Sequence, residues 1–319
     1  MTTTGVRVTR DNRSGATHAD DTARQARTLR LTISCVNRPG VTALVVGFLH
    51  ARGAHVVEAD QHVTEEAGSR LLLRLVFRLD SPAGTSGLAR EFAGEFAGEF
   101  AAEFAAEFGG PPEVDFRLHD ASKRKRVALM VSRYDHCLLD LLWRWRRGEL
   151  PVDVGLVISN HLDLERQVRA FDVPYVHIPV TRSTKADAER RQLELLRGRF
   201  DLVVLARYMQ VLSGSLLDRI GIPIINIHHS FLPAFAGPGP YERARQRGVK
   251  LVGATAHYVT EDLDEGPIIE QDLVRVSHRD GLEDVVRKGA DIERVVLARA
   301  VTWHCEDRVL VAGNTTVVF

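Results

Sequence analysis

PIINIHH, residues 223–229, is an apolar run that turns polar at its end. Four runs upstream have the same apolar character: VALMV (127–131), VDVGLVISN (152–160), YVHIPV (175–180) and DLVVLA (201–206). Each reads as a strand buried on both faces. Helical stretches separate them, among them CLLDLLWRWRRGEL (137–150) and KADAERRQLELLRGRF (185–200). Strands alternating with helices mean βαβ units and a mostly parallel sheet, a Rossmann-like architecture. GATAHYVT (253–260), IIEQDLVRV (268–276), a long helix around 282–302 and a terminal hairpin, VLVAGNTTVVF (309–319), complete this part. In open parallel sheets ligands bind at the carboxyl ends of the strands, so chemistry is sought just after each run.

The N-terminal part has a different rhythm. Residues 1–28 begin with a Thr-, Arg-, Asp- and Ser-rich stretch and read as a disordered tail. From Leu29, LRLTISCV alternates like a strand, NRPG (37–40) punctuates, and VTALVVGFLHARG (41–53) reads as an amphipathic helix. AHVVEADQHV (54–63) and RLLLRLVFRL (70–79) are two more strands, and PPEVDFRL (111–118) closes the unit. The order βαββαβ is ferredoxin-like and spans 29–119, with a basic linker at 120–126 and the second domain at 127–319. Its second helix is a four-residue repeat, EFAGEFAGEFAAEFAAEF (91–108). Steps of four overshoot the α-helical period by about 40° each, so the Phe stripe is expected to wind around the helix. Two readings follow: an expanded ordinary helix, or an association surface built from Phe92, Phe96, Phe100, Phe104 and Phe108.

The 319 residues hold 42 Lys+Arg and 42 Asp+Glu, a formal net charge of 0. That balance argues against broad binding to nucleic acid or anionic membrane, and ASKRKR (121–126) is expected to be a solvated linker. No apolar run reaches membrane-span length. There is no apolar secretory segment, and the three scattered cysteines, Cys35, Cys137 and Cys305, fit a reducing cytoplasm.

Period two puts Asn226 and His228 on one face of the PIINIHH strand. An amide donor and an imidazole at a strand's C-terminal end suit a developing oxyanion and a proton transfer. They equally suit a structural cap. Downstream lie His257 and a loop carrying Glu261, Asp262, Asp264 and Glu265. One of these carboxylates could meet His228; spacing does not select which. His228, His229, His257 and Asp264 could ligate a metal, but no HExxH or Cys cluster accompanies them and none is expected. Walker A and G-x-G-x-x-G motifs are missing; the turn after VALMV is Ser132-Arg133-Tyr134-Asp135-His136.

NIHHSFLPAF (226–235) followed by VGATAHYVTEDLDEGPIIEQD (252–272) resembles the formyltetrahydrofolate-dependent formyltransferase and hydrolase superfamily. SRYDHCLLDLLWRWRRGEL, VISNH, ARYMQVLS and GNTTVVF are similar to the formyltetrahydrofolate deformylase (10-formyltetrahydrofolate hydrolase) family in particular. The resemblance covers residues 29–319. It implies an N-terminal ACT domain, a formyltransferase-fold catalytic domain, and catalytic roles for Asn226, His228 and Asp264. It places folate along Arg207, Tyr208, Met209, Gln210, Val211 and Leu212, and against His257, Thr260, Glu261 and Asp262. It implies a regulatory turn at Asn37, Arg38, Pro39 and Gly40 for an amino-acid effector, a homo-oligomer (dimer or tetramer), and no cofactor beyond the folate substrate. Asn37 stands where most relatives carry Asp, and the loop Phe235–Pro240 lacks their usual Lys.

Transferases of the superfamily carry a Gly-, Ser- or Asn-rich phosphate loop where this chain has bulky Ser132–His136, and tRNA-directed members add a C-terminal domain. The expected reaction is therefore hydrolysis of 10-formyltetrahydrofolate to tetrahydrofolate and formate, which balances the folate pool and supplies formate for purine synthesis. Formyl transfer to a small amine, and a non-catalytic folate- or amino-acid-binding regulator, stay open on the residues alone.

Overall fold

A computed structural model of the chain describes residues 25–65, 68–81, 94, 96–108, 114–234 and 239–319. The N-terminal domain runs β1 (Gln25–Val36), α1 (Val41–Ala51), β2 (His55–Val63), β3 (Arg70–Ser81), a π turn (Phe96–Phe100) continuing into α2 (Ala101–Phe108), and β4 (Val114–Asp120). Its sheet has the order β2-β3-β1-β4 with all neighbours antiparallel, which is the ferredoxin-like topology. The alternation in β1 drives this packing: Leu29, Leu31, Ile33 and Cys35 are buried against the helices, while Arg30, Thr32 and Ser34 take the other face. β1 starts at Gln25, ahead of the apolar alternation, because β3 extends to Ser81 and supplies its partners. The tail expected over 1–28 lies outside the described residues up to position 24.

The Phe repeat does not wind around its helix. Phe96, Phe100 and Phe104 are all buried in the domain core, and Phe108 packs against it. Phe96 stacks on Phe100 with ring centroids 4.4 Å apart, and both meet Phe48 of α1 edge-on. The physical reason is the π turn. A four-residue step overshoots in an α-helix and undershoots in a π-helix, which has more residues per turn. Joining the two keeps successive Phe rings on one face. These three rings are therefore core, not an association surface; Phe92 lies outside the described residues.

Asp120 ends β4 and turns the chain, accepting from the Ser122 backbone N–H and hydroxyl. β5 (Lys125–Val131) follows at once, with Lys125 opposite Val152 and Arg126 opposite Asp153. The remaining elements are α3 (His136–Arg146), β6 (Val152–Ser159), α4 (Glu165–Arg169), β7 (Tyr175–His177), α5 (Lys185–Leu196), β8 (Leu202–Leu205), α6 (Gly214–Ile220), β9 (Ile224–His228), α7 (Pro240–Gln246), β10 (Leu251–Tyr258), β11 (Ile268–Arg275), α8 (Leu282–Cys305), β12 (Val309–Ala312) and β13 (Thr315–Val318). The sheet order is β11-β10-β9-β8-β5-β6-β7. β5 to β9 pair parallel, while β10 and β11 are antiparallel additions. Each buried strand feeds two cores: Val127, Leu129 and Val131 join α3 and α8 on one face, and Ala128 and Met130 join α5 and α6 on the other. The winding direction reverses between β5 and β8, so the switch point lies at their carboxyl ends.

The domains dock through the C-terminal segment. Leu310 and Ala312 of β12 pack on Leu72 of β3. Buried Asp307 gathers Arg30 at 3.4 Å, His119 at 3.5 Å and the Lys125 ammonium. No helix of the described residues is long and apolar enough to cross a membrane.

If the Phe stripe is core, Phe100→Ala should lose about 3–5 kcal/mol of stability through lost transfer energy and the cavity left behind. Urea unfolding of the two proteins checks this; a loss under about 1 kcal/mol would return the stripe to the surface.

Candidate active site

β9 carries its polar residues to the open end of the sheet, beside β10. In the antiparallel register Asn226 faces His257, and His228 faces Thr255. His257 is buried, with Nδ1 2.9 Å from the Tyr258 carbonyl oxygen. Nδ1 therefore donates, Nε2 is left as an acceptor, and the Asn226 amide nitrogen donates to it at 3.2 Å. Burial lowers the pKa of His257, against the Tyr258 carbonyl and Asp264, which act to raise it. One amide N–H of Asn226 is thus held by a neutral ring and the other is left over.

Asp264 comes from the loop between β10 and β11. Its backbone is left-handed, φ 61°, which few non-glycine residues adopt. There its carboxylate reaches back into the sheet: Oδ2 is 3.2 Å from His228 Nδ1 and Oδ1 is 3.8 Å from His257 Nε2. The opposite nitrogen, His228 Nε2, is buried and has no hydrogen-bond partner among the described residues. The loop after His229 is pinned: Thr255 Oγ1 accepts from the Leu232 N–H and donates to the Ser230 carbonyl oxygen. The remainder of that loop, with the departures expected at Phe235–Pro240, lies outside the described residues from 235 to 238.

The segment 207–212 follows β8, the neighbour of β9. Ser132 ties it to β5, accepting from the Met209 N–H at 2.9 Å and donating to Asn160 Oδ1 at 2.7 Å. Its side chains divide. Met209 and Val211 are exposed, at 50% and 53%, and Gln210 is half-buried. Tyr208 and Leu212 are buried in the α5–α6 core, with Gln192 donating to the Tyr208 hydroxyl at 2.8 Å. Arg207 turns to Glu293 of α8, Nε to Oε2 3.5 Å, and lies over the Tyr134 ring at 4.8 Å. Thr260, Glu261 and Asp262 are exposed at the rim, where Thr260 Oγ1 donates to the Asp262 carbonyl. At the far end of the chain's first domain, Asn37 and Pro39 are exposed, and Arg38 Nη1 donates to the Phe108 carbonyl at 2.6 Å.

A family model described as formyl transferase matches residues 125–301. A formyltetrahydrofolate deformylase of Mycobacterium bovis is 57% identical over 291 residues, which is 91% of this chain and 90% of the relative. The chain belongs to the formyltetrahydrofolate deformylase family. A deformylase of Synechocystis is 46% identical, over 92% of this chain and 99% of its own. The crystal structure of a Pseudomonas syringae deformylase superposes with a TM-score of 0.84 at 46% identity, covering 93% of this chain and 96% of that one. The deformylase fold expected from the sequence is thus the one observed.

Sequence reasoning missed a second cluster. Glu293 is buried in α8, where its carboxylate accepts from the Tyr241 hydroxyl at 2.5 Å and meets His136 Nε2 at 2.8 Å. Burial pushes its pKa up, but the His136 hydrogen bond, the Arg207 charge and Tyr241 outweigh this and hold it low. Gly289, one turn earlier, makes the room: a Cβ there would lie 2.1 Å from the Tyr241 oxygen. The legible signal was a lone carboxylate in the buried stripe Val285, Gly289, Glu293, Val296. His136, Cys137 and Glu293 have ligand-type atoms within 4.8 Å of one another. The nearby guanidinium already supplies the positive charge, however, and burial, then the Glu293 charge, push the Cys137 thiol well above its ordinary range. That chemistry fits a proton-sharing network better than a cation site.

His229 lies between the two clusters. Burial, then the Arg207 charge, lower its pKa to about 3. An unfolded His titrates near ~6.5, so its neutral burial contributes stability that is complete above that pH and lost as pH falls toward the folded value. The His229→Gln protein should show a flatter decline of unfolding free energy, from urea titrations between pH 6.5 and 4, by up to about 1.4 kcal/mol per pH unit. An identical slope in both proteins would contradict the burial assignment.

Proposed function

We propose that Asn226, His228 and Asp264 carry out the hydrolysis of 10-formyltetrahydrofolate to tetrahydrofolate and formate. The observation that carries the assignment is the polarity of His228: Nδ1 is held by Asp264 at 3.2 Å while buried Nε2 has no partner among the described residues. In its imidazolium form, Nδ1–H donates to Asp264 and Nε2–H is available to a formyl oxygen. The second amide N–H of Asn226, fixed by His257, is a donor on the same strand face. Two preorganised donors stabilise the oxyanion that forms when water adds to the formyl carbon. Asp264 accepts the water proton, the tetrahedral oxyanion collapses with cleavage of the C–N bond, the folate nitrogen takes that proton, and formate leaves.

Water as the acceptor is supported by the turn after β5. Tyr134 stacks under Arg207, and His136 is bonded to Glu293, so side chains fill the place where a phosphate cradle would need bare backbone. Folate is proposed to lie along 209–212 and the 260–262 rim, where Met209 and Val211 are the exposed apolar side chains. The exposed Asn37–Gly40 turn is the proposed effector site, wired by Arg38 to the end of the Phe helix, and a homo-oligomer formed through the ferredoxin-like domain accompanies it. The Ala121–Arg124 turn is the proposed domain boundary. The three cysteines are buried and free, in keeping with a reducing cytoplasm.

Asp264→Ala and Asn226→Ala should each lower turnover by about 10²–10³-fold, with folding checked by circular dichroism. The assay is formate release from 10-formyltetrahydrofolate without added amine or metal. Wild-type turnover in folded Asp264→Ala would reject the assignment, and release that requires an amine would move the chain to the transferases.

A further inference from the structure

Arg207 stands apart from the rest of its segment. It sits at the switch point between β5 and β8 in a left-handed conformation, φ 64°, and only 6% of its surface is exposed. Nε is 3.5 Å from Glu293 but makes no hydrogen bond, and both Nε and Nη1 are buried without a hydrogen-bond partner among the described residues. A buried charged donor without an acceptor is costly, and the local acceptor is committed. Glu293 Oε1 takes the Tyr241 hydroxyl and Oε2 takes His136. The Tyr134 ring covers the guanidinium from one side. His229 lies close by, its ring 5.6 Å from that of Tyr241 and 5.3 Å from that of His228.

We propose that Arg207 is a product-binding residue whose free Nη1 receives formate as it leaves the formyl position beside His228. The inference rests on the hydrolase reading above, which supplies the anion. A guanidinium matches a carboxylate in charge and planarity, and with its donors buried and the Tyr134 ring against it it favours the smallest carboxylate over larger ones. Glu293 faces the guanidinium from α8 and is itself held by His136 of α3, so the incoming anion shares the guanidinium with a carboxylate that is already hydrogen-bonded. Transfer of formate to Arg207 clears His228 Nε2 for the next substrate.

The probes are formate, nitrate as a planar isostere, and acetate as a bulkier carboxylate. Binding is read by line broadening of ¹³C-formate with folate-free protein. Inhibition is read from initial rates of tetrahydrofolate formation. Formate and nitrate should inhibit similarly and acetate about tenfold more weakly or worse. Arg207→Met should raise the formate constant by about 10–100-fold against a smaller change in KM, and Arg207→Lys should fall between. Formate binding unchanged in folded Arg207→Met overturns the proposal. If that variant does not fold, the wild-type series decides: no formate broadening, or equal inhibition by all three anions, rejects it. A wild-type protein that binds formate in this selective way yet releases none from 10-formyltetrahydrofolate would sink the hydrolase reading and leave the anion site standing.

Discussion

Because β9 and β10 run antiparallel with Asn226 across from His257, one amide N–H is consumed inside the sheet and the other is aimed by it. A one-residue slip would send Asn226 and His228 to the opposite face of the sheet. The register is held by hydrogen bonds on both sides of the pair, from the Val259 N–H to the Ile224 carbonyl at one end and through Thr255 to the loop after His229 at the other. The placement of Asn226 and His228 is thus a property of the strand ladder, and the contacts from His257 and Asp264 set their hydrogen-bonding directions.

Much of this was legible in the chain. Short apolar runs between amphipathic helices have few other solutions than a doubly covered parallel sheet, and polar residues closing an apolar strand drew attention to Asn226 and His228. Spacing did not choose among Glu261, Asp262, Asp264 and Glu265, because the choice depends on a left-handed backbone at Asp264 that no composition rule reports; the family resemblance alone singled out Asp264. Side-chain direction was equally hidden in the segment 207–212. Adjacent Arg207, Tyr208 and Met209 go to three different places: a buried network, a helix-facing core and the surface. The Phe repeat was misread for a simpler reason. Its rotation was reckoned for a pure α-helix, and the π turn cancels the drift.

The Glu293 network joins four stretches that are remote in sequence: the turn after β5, the end of β8, the start of α7 and the middle of α8. It brings together at one carboxylate the two halves of the sheet on either side of the switch point and the helix that follows the loop after β9. Such an assembly has no signature in any single window of residues. Its carboxylate is held by His136 and Tyr241, which lets side chains occupy ground that a phosphate-binding loop would otherwise leave to backbone.

The helix of repeated Phe residues carries a consequence for how the first domain can vary. A four-residue unit added in α-helical geometry would turn the next ring by about 40°, and the π turn at Phe96–Phe100 absorbs the drift of one such step. Length is then coupled to orientation. A unit inserted in the α-helical part would carry the rings beyond it away from the core, so the number of repeats this helix can hold is set by how much of it is wound as π.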